Sequence, residues 1–519
     1  MFTRFTKPEA VAASAVLMVG LIVGLVACAP VTVTPVTQEG ALGQETVDPA
    51  LATFYDQKLV WKDCTTGMQC TTAIAPIDWN EPSGATLNLS MIRHKATKGP
   101  ALGSLFVNPG GPGASGVEFI SASLDYAVGK PLQEKYDVIG FDPRGVGQST
   151  PVTCFTDAKK TDDLLYGITP GVRASADWLA SREASSAEFA AACAQNTGSL
   201  LAHVDTVSAA KDLDMLRYTV GDARFNFLGY SYGTLLGTTY AELFPTKVGR
   251  MVLDGALDPA SSSSDVSRTQ AVGFENALRA YLAWCITQSN CPVAGTGTVD
   301  SAMTEISQIL SRLDANPLPA SGTEARVLGA DTLVTAIIAP LYDKNSWANL
   351  SSVFASTLAG DPTSAFGAAD WYNGRDSAGA YKDNSTEAFL SINCLDYPAK
   401  NDLASWQADA QTIIAAAPVI GPYMVYGDTL CANWPYQSSR VLGPIAAVGS
   451  PDILVIGTTN DPATPYQWAV NLAGELTKGH LISYAGEGHT AYNKSNSCVD
   501  DAVTNFFLAG TVPASDPKC

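Results

Sequence analysis

Short apolar runs separated by turn residues recur in the first half of the chain and again near its end, but not in between. Residues 102–108, 136–142, 225–231, 251–254, 452–457 and 480–485 are rich in β-branched and aromatic side chains and too short for helices, so each predicts a strand buried on both faces. Residues 72–77 and 86–93 read as an antiparallel pair ahead of them. Between the buried runs the apolar spacing becomes helical, over 207–220, 234–244 and 466–476. In the first of these, Leu213, Leu216 and Val220 share a face, Thr206 stands where a cap is needed and Gly221 where the helix should stop. Such alternation predicts an α/β fold: a mostly parallel sheet with helices on both faces.

The alternation ceases after Asp254 and resumes near Asp452. The intervening residues read mainly as helices, notably 272–287, 301–315 and 404–417. The simplest account is a catalytic domain of residues 51–258 and 445–519, with a helical lid domain, residues 259–444, inserted between two of its strands.

The N-terminus changes the picture of where the protein works. Arg4 and Lys7 precede an apolar stretch over residues 11–27, which ends in Leu25-Val26-Ala27-Cys28. A basic start, an apolar core and small residues before a cysteine match a bacterial lipoprotein signal, with residues 1–27 removed and Cys28 carrying lipid. An ordinary signal peptide or an anchor helix is the competing reading. No other segment reaches the roughly 18 unbroken apolar residues that span a bilayer. Residues 28–50, rich in Pro, Thr and Gly up to about Asp48, read as a flexible tether. The expected location is the outer face of a bacterial cell membrane, with some protein released to the medium.

Of the 11 cysteines, Cys28 is set aside and ten remain. An even number in an exported chain suggests disulfides, and pairing sequence neighbours gives Cys64–Cys70, Cys154–Cys193, Cys285–Cys291, Cys394–Cys431 and Cys498–Cys519. No Cys-x-x-Cys pair or His/Cys cluster exists to build a zinc site, so no metal or other cofactor is expected. A net charge of −19 argues against nucleic acid, which demands a surplus of Lys and Arg. It is compatible with cationic substrates such as those bearing a free amine. A monomer is the expectation.

The chemistry is concentrated in four places. Phe225-Asn-Phe-Leu-Gly-Tyr-Ser231-Tyr-Gly-Thr-Leu-Leu-Gly reads strand, sharp turn, helix. A serine hydroxyl is a weak nucleophile unless it is exposed, close to a base and near an anion site, and the Gly-x-Ser-x-Gly elbow of α/β-hydrolases provides this, which makes Ser231 the nucleophile. The chain has four histidines. The order serine, acid, histidine removes His94 and His203, and His480 opens an apolar strand and reads as structural. His489, in Gly486-Glu-Gly-His489-Thr just past that strand, is the base. Asp461, held in a turn by Pro462 and Pro465 after a strand, is favoured as the acid over Asp254, which is assigned to bracing the turn into the lid. Asn108-Pro-Gly-Gly-Pro-Gly113 follows a strand, and backbone amides around Gly111 and of Tyr232 are the natural oxyanion donors. Phe141-Asp142-Pro-Arg144-Gly-Val-Gly-Gln-Ser149 reads as a buried Asp142–Arg144 network beside that turn.

Together, residues 108–116, 141–149, 229–237, 254–259, 461–465 and 486–490 resemble the secreted tripeptidyl aminopeptidases of the proline-iminopeptidase type, within the α/β-hydrolases. Cys431-Ala-Asn-Trp434-Pro also resembles the segment that opens the C-terminal part of these enzymes. The likeness spans nearly all of the mature chain. It departs from proline iminopeptidases where their His-Gly-Gly-Pro turn becomes Asn108-Pro109, as in the tripeptidyl branch. It implies removal of short peptides, often tripeptides, from free N-termini, transfers the triad onto Ser231, Asp461 and His489, and draws attention to Thr464 as a brace for the Asp461 loop. Aminopeptidase action also requires a carboxylate for the substrate ammonium, for which Glu118 and Asp396 are the candidates. An esterase or lipase with the same triad is the nearest rival, and a non-catalytic binding lipoprotein on a retired scaffold is a rival of another class.

Overall fold

The computed structural model describes residues 45–320 and 326–519. Cys28 and most of the expected tether therefore lie outside the described residues. Nine strands build the main sheet: β1 (Lys62–Thr65), β2 (Met68–Pro76), β3 (Thr86–His94), β4 (Ser104–Asn108), β5 (Asp137–Phe141), β6 (Phe225–Tyr230), β7 (Val248–Asp254), and, after a two-stranded ribbon of β8 (Leu318–Pro319) and β9 (Val327–Leu328), β10 (Ile453–Asn460) and β11 (Gly479–Glu487). Their order across the sheet is β1-β2-β3-β5-β4-β6-β7-β10-β11. The lead-in strands β1 to β3 pair antiparallel, β3 meets β5 antiparallel, and every pairing from β5 through β11 is parallel.

The uninterrupted apolar strands follow from this topology, because a parallel sheet is covered on both faces. Along β4, Phe106 points into one core with Phe227 of β6, while Leu105 and Val107 point into the opposite core with Leu228. Helices Thr206–Thr219, Tyr232–Leu243 and Tyr466–Glu475 cover the first face, and helices Gly116–Ala127 and Ser497–Ala509 the second. Helix Thr206–Thr219 begins differently from the expectation. Asp205 is its N-cap, accepting from the Ser208 amide, and Thr206 is the first helical residue. Asp is as good a cap as Thr, and it frees the threonine hydroxyl for another contact. Gly221, at φ +97°, ends the segment as expected.

Between β7 and β10 lie helices Ser263–Cys285, Val299–Ala315, Ala330–Leu341, Trp347–Leu358, Thr363–Tyr372, Ser385–Asp396 and Leu403–Ala416. The first five of these enclose an apolar cluster of their own, with Phe274, Leu282, Ile306, Leu333, Ile337 and Phe354 at its centre, joined by Tyr166 and Ala463 from outside the inserted segment; Ser385–Asp396 packs on the core beneath the sheet's first face instead. All described residues belong to one compact unit. Disulfides join Cys64–Cys70, Cys154–Cys193, Cys285–Cys291, Cys394–Cys431 and Cys498–Cys519, the neighbour pairing. No helix among the described residues is long and apolar enough to cross a membrane.

Candidate active site

The parallel strands deliver their loops to one edge of the sheet, the carboxyl edge, where open α/β sheets hold their ligands. β6 ends at Tyr230 and the next helix begins at Tyr232, so Ser231 makes the entire turn, at φ 55° and ψ −124°. A residue with a Cβ seldom occupies that region, and the strain is sustained by its surroundings. The Ser231 amide donates to the Asp254 carbonyl (2.9 Å), and the Ser231 carbonyl accepts from the Thr234 amide (2.8 Å) and hydroxyl (2.6 Å). Glycine flanks the serine because nothing else fits. A Cβ on Gly229 would lie 2.5 Å from the Gly233 carbonyl oxygen, and one on Gly233 would lie 2.8 Å from Asn108 Oδ1.

His489 stands in the loop after β11, half-buried, with Nδ1 at 2.9 and 3.0 Å from the two carboxylate oxygens of Asp461. Asp461, 2% exposed, follows β10 and accepts further bonds from the amides of Ala463, Thr464 and Thr490. Burial alone would raise its pKa, but the His489 charge and hydrogen bond, with the Thr464 and Thr490 amides, hold the carboxyl below its ordinary value. The Thr464 hydroxyl donates to Asp461 Oδ2 (3.0 Å) and lies 3.2 Å from His489 Nδ1. An imidazole held this way through Nδ1 keeps Nε2 free to exchange a proton.

The turn after β4 closes the constellation. Asn108 Oδ1 accepts from the Gly110 amide (3.0 Å), which folds the chain back against the elbow. Gly110 makes the closest approach: its missing Cβ would sit 2.8 Å from Ser231 Cβ and 3.0 Å from the Tyr232 amide nitrogen. Gly111 follows, exposed, at φ +107°. Tyr232 is the first residue of its helix, so its amide has no acceptor within that helix.

Two family models match the chain, one described as the alpha/beta hydrolase fold over residues 103–303 and one as TAP-like protein over residues 417–519. The serine protease Hip1 of Mycobacterium tuberculosis is 36% identical over 466 residues, 87% of each chain. The chain belongs to the α/β-hydrolase serine peptidases. A tripeptidyl aminopeptidase of Streptomyces lividans is 30% identical over 88% of this chain and 86% of its own. A further relative in this group, from M. tuberculosis and 36% identical over 98% of both chains, carries the name carboxylesterase B.

Against the frame of this α/β-hydrolase, several expected roles change. Asp254 does not brace the turn into the inserted segment. Its carboxylate accepts from the amides of Ala491 (3.0 Å) and Tyr492 (2.8 Å), and so supports the loop that carries His489. Asp142 and Arg144 are both buried, yet they do not form one network. Asp142 takes the Ser115 hydroxyl and the Val117 and Gln148 amides, whereas Arg144 pairs with Asp212 (2.6 Å) and the carbonyls of Pro76, Ile77 and His203. A guanidinium with five donors needs more acceptors than one neighbouring carboxylate supplies. Glu118 is exposed in the first turn of helix Gly116–Ala127, just past the glycine turn. Asp396 is 1% exposed, its oxygens engaged by the Thr206 amide (2.9 Å) and hydroxyl (2.5 Å), and that hydroxyl also contacts the Tyr232 hydroxyl (2.5 Å). It sits behind Tyr232 rather than on the reacting side. Burial pushes its carboxyl up to about 6. His480 pairs with Asp452 (2.9 Å), in keeping with a structural part. A cleft of about 660 Å³ lined by Asp396, His203, Lys211, Glu242 and Arg440 includes none of Ser231, Asp461 or His489.

Sequence reasoning missed Tyr342 and Lys494. The Tyr342 carbonyl accepts from the His489 amide (2.8 Å), and its ring meets the imidazole edge-on, 5.3 Å between centroids. Lys494 Nζ donates to the His489 carbonyl. The lysine lies five residues from the histidine and was within reach of a local reading; Tyr342 belongs to the inserted segment, and no local pattern ties it to His489.

Proposed function

We propose that this chain is an exported serine peptidase that hydrolyses peptide bonds near free N-termini, releasing tripeptides through an acyl-enzyme. The observation that carries the reading is the buried, ionised Asp461 on His489 Nδ1, at the same sheet edge as the strained Ser231 turn and the Gly110–Gly111 backbone. In this mechanism His489 Nε2 takes the Ser231 proton as Oγ attacks the peptide carbonyl. The amides of Gly111 and Tyr232 receive the oxyanion, with each such donor worth about 3 kcal/mol in the transition state. The imidazolium then protonates the leaving amine, and water releases the acyl group through the same base. Thr464 keeps the Asp461 carboxylate aligned. Exposure beside the glycine turn supports Glu118 over Asp396 as the carboxylate for the substrate ammonium. The tripeptidyl aminopeptidase relative supports the tripeptide step. Five disulfides support an oxidising compartment, with Cys28 as the lipid anchor.

The carboxylesterase name of one relative favours a second reading, ester hydrolysis by the same residues. Assaying a tripeptidyl arylamide beside its N-acetylated form and a short-chain ester separates them. The proposal expects fast turnover of the free-amine peptide and loss of turnover in Ser231→Ala. Equal or faster cleavage of the blocked peptide would sink the aminopeptidase claim, and activity confined to the ester would favour the rival.

A further inference from the structure

Tyr342 follows the helix Ala330–Leu341, and Tyr372 ends the helix Thr363–Tyr372. The two rings lie 6.0 Å apart with their hydroxyls 3.3 Å from one another. Tyr342 sits against the imidazole of His489, is backed by Phe274 (5.7 Å), and is half-buried. Tyr372 is the next ring outward and 45% exposed, and Trp371 beside it is 73% exposed. An aromatic surface therefore starts at the base and runs out to solvent. It is held in register with the base, because the Tyr342 carbonyl fixes the His489 amide and fills the space a side chain on Gly488 would need. Exposed aromatic rings in a fixed array are unusual without an apolar group to cover them.

The chemistry says which part of a substrate passes here. The imidazole must deliver its proton to the leaving amine, so the leaving segment departs past His489, whereas the acyl part lies toward the glycine turn. We propose that Tyr342 and Tyr372 form the contact surface for the first residue of the leaving peptide, and that Tyr372 is a specificity-determining residue selecting large apolar or aromatic side chains there. This rests on the peptidase reading above.

The test uses the full-length protein and a set of peptides with one fixed N-terminal tripeptide followed by Phe, Leu, Ala, Ser, Gly or Asp, with products followed by mass spectrometry. The methyl ester of the same tripeptide serves as control, since methoxide is too small to reach the rings. The wild type should favour Phe and Leu over Gly and Asp by about tenfold in kcat/KM, the scale of a side chain entering an apolar pocket. Tyr372→Ala should flatten that preference to within about twofold while leaving methyl ester hydrolysis unchanged, and Tyr372→Phe should retain it. Indifference of the wild type to the fourth residue, or an unaltered preference in Tyr372→Ala, would overturn the assignment and leave the peptidase reading standing. Hydrolysis of the ester with no cleavage of any peptide would overturn both.

Discussion

Asp461 and Asp254 both lie beside the loop that carries His489, and both are buried, yet their surroundings give them opposite characters. Asp461 meets the imidazole and stays ionised; Asp254 meets backbone amides, and burial raises its carboxyl pKa despite them. Asp461→Asn should lower kcat by about 10⁴ with little change in thermal midpoint, as the imidazole loses its orienting charge. Asp254→Ala should instead lower the unfolding free energy by about 3 kcal/mol, because the amides of Ala491 and Tyr492 lose their acceptor in a buried place. Steady-state kinetics and urea unfolding on the two variants check the split. The sequence pointed to Asp461 through its turn prolines and its place after a strand, and the structure sets that carboxylate against His489. Sequence reasoning assigned Asp254 to the wrong turn, since the partner amides are more than 200 residues away in the chain.

Asp396 gives a residue-scale prediction about pH. Its pKa is raised to about 6 from an ordinary value near 3.8, so the folded state holds a proton that the unfolded chain releases. The folded state therefore loses stability as pH rises through the window between about 4 and about 6. Asp461 has the opposite sign: its contribution is present above the ordinary carboxylate value and is lost only as pH falls below it. Asp396→Asn keeps an acceptor for the Thr206 amide and removes the ionisation, so its thermal midpoint should vary less between pH 4.5 and 7 than that of the wild type. An unchanged difference between the two proteins across that range would contradict the burial account.

At the scale of elements, the helix Ser385–Asp396 departs most from its sequence reading. The chain order puts it within the segment expected to be a lid, but it is strapped to the parts that build the site. Asn384, just before it, donates to the carbonyls of Gly145 and Val152 and accepts from the Gly147 amide. Glu387 accepts from the amides of Cys154 and Phe155. The helix backbone lies so close to the glycine turn that a Cβ on Gly113 would sit 2.5 Å from the Ser385 carbonyl oxygen. Cys394 binds it covalently to Cys431. Asn384→Ala should cost about 2 kcal/mol of stability and should slow acylation more than it weakens binding, because the glycine turn loses its backing. Burst-phase kinetics with an arylamide would read the acylation step directly. The strands and the elbow were legible because local periodicity and motif spacing determine them. This helix was not, since its role comes from contacts on residues 145–155 and 206 that no local pattern encodes.

Over the whole molecule, the mostly parallel sheet with its antiparallel lead-in pair and the neighbour disulfides were accessible from sequence, whereas the strand order and the packing of the inserted helices against the candidate site were not. The apolar cluster of those helices takes in Ala463, two residues past Asp461, and Gln270 Nε2 donates to the Ala463 carbonyl (2.8 Å). The loops that carry His489 and Asp461 are thus each held by residues of the insertion. The opposite edge of the sheet has a consequence of its own. There Glu45, the first described residue, is ion-paired with the fully buried Arg217 (2.8 Å) and with Lys247, which stands immediately before β7. Glu45 thus sits at the amino edge of the parallel strands, a strand's length of roughly 20 Å from the edge that carries Ser231. Coupled to a resin through a cysteine placed at the amino edge, the protein should cleave long peptides with the kcat/KM it has in solution. Coupled through a cysteine placed at the exposed Tyr126, whose hydroxyl meets the Lys494 that binds the His489 carbonyl, it should lose activity on long peptides before short ones.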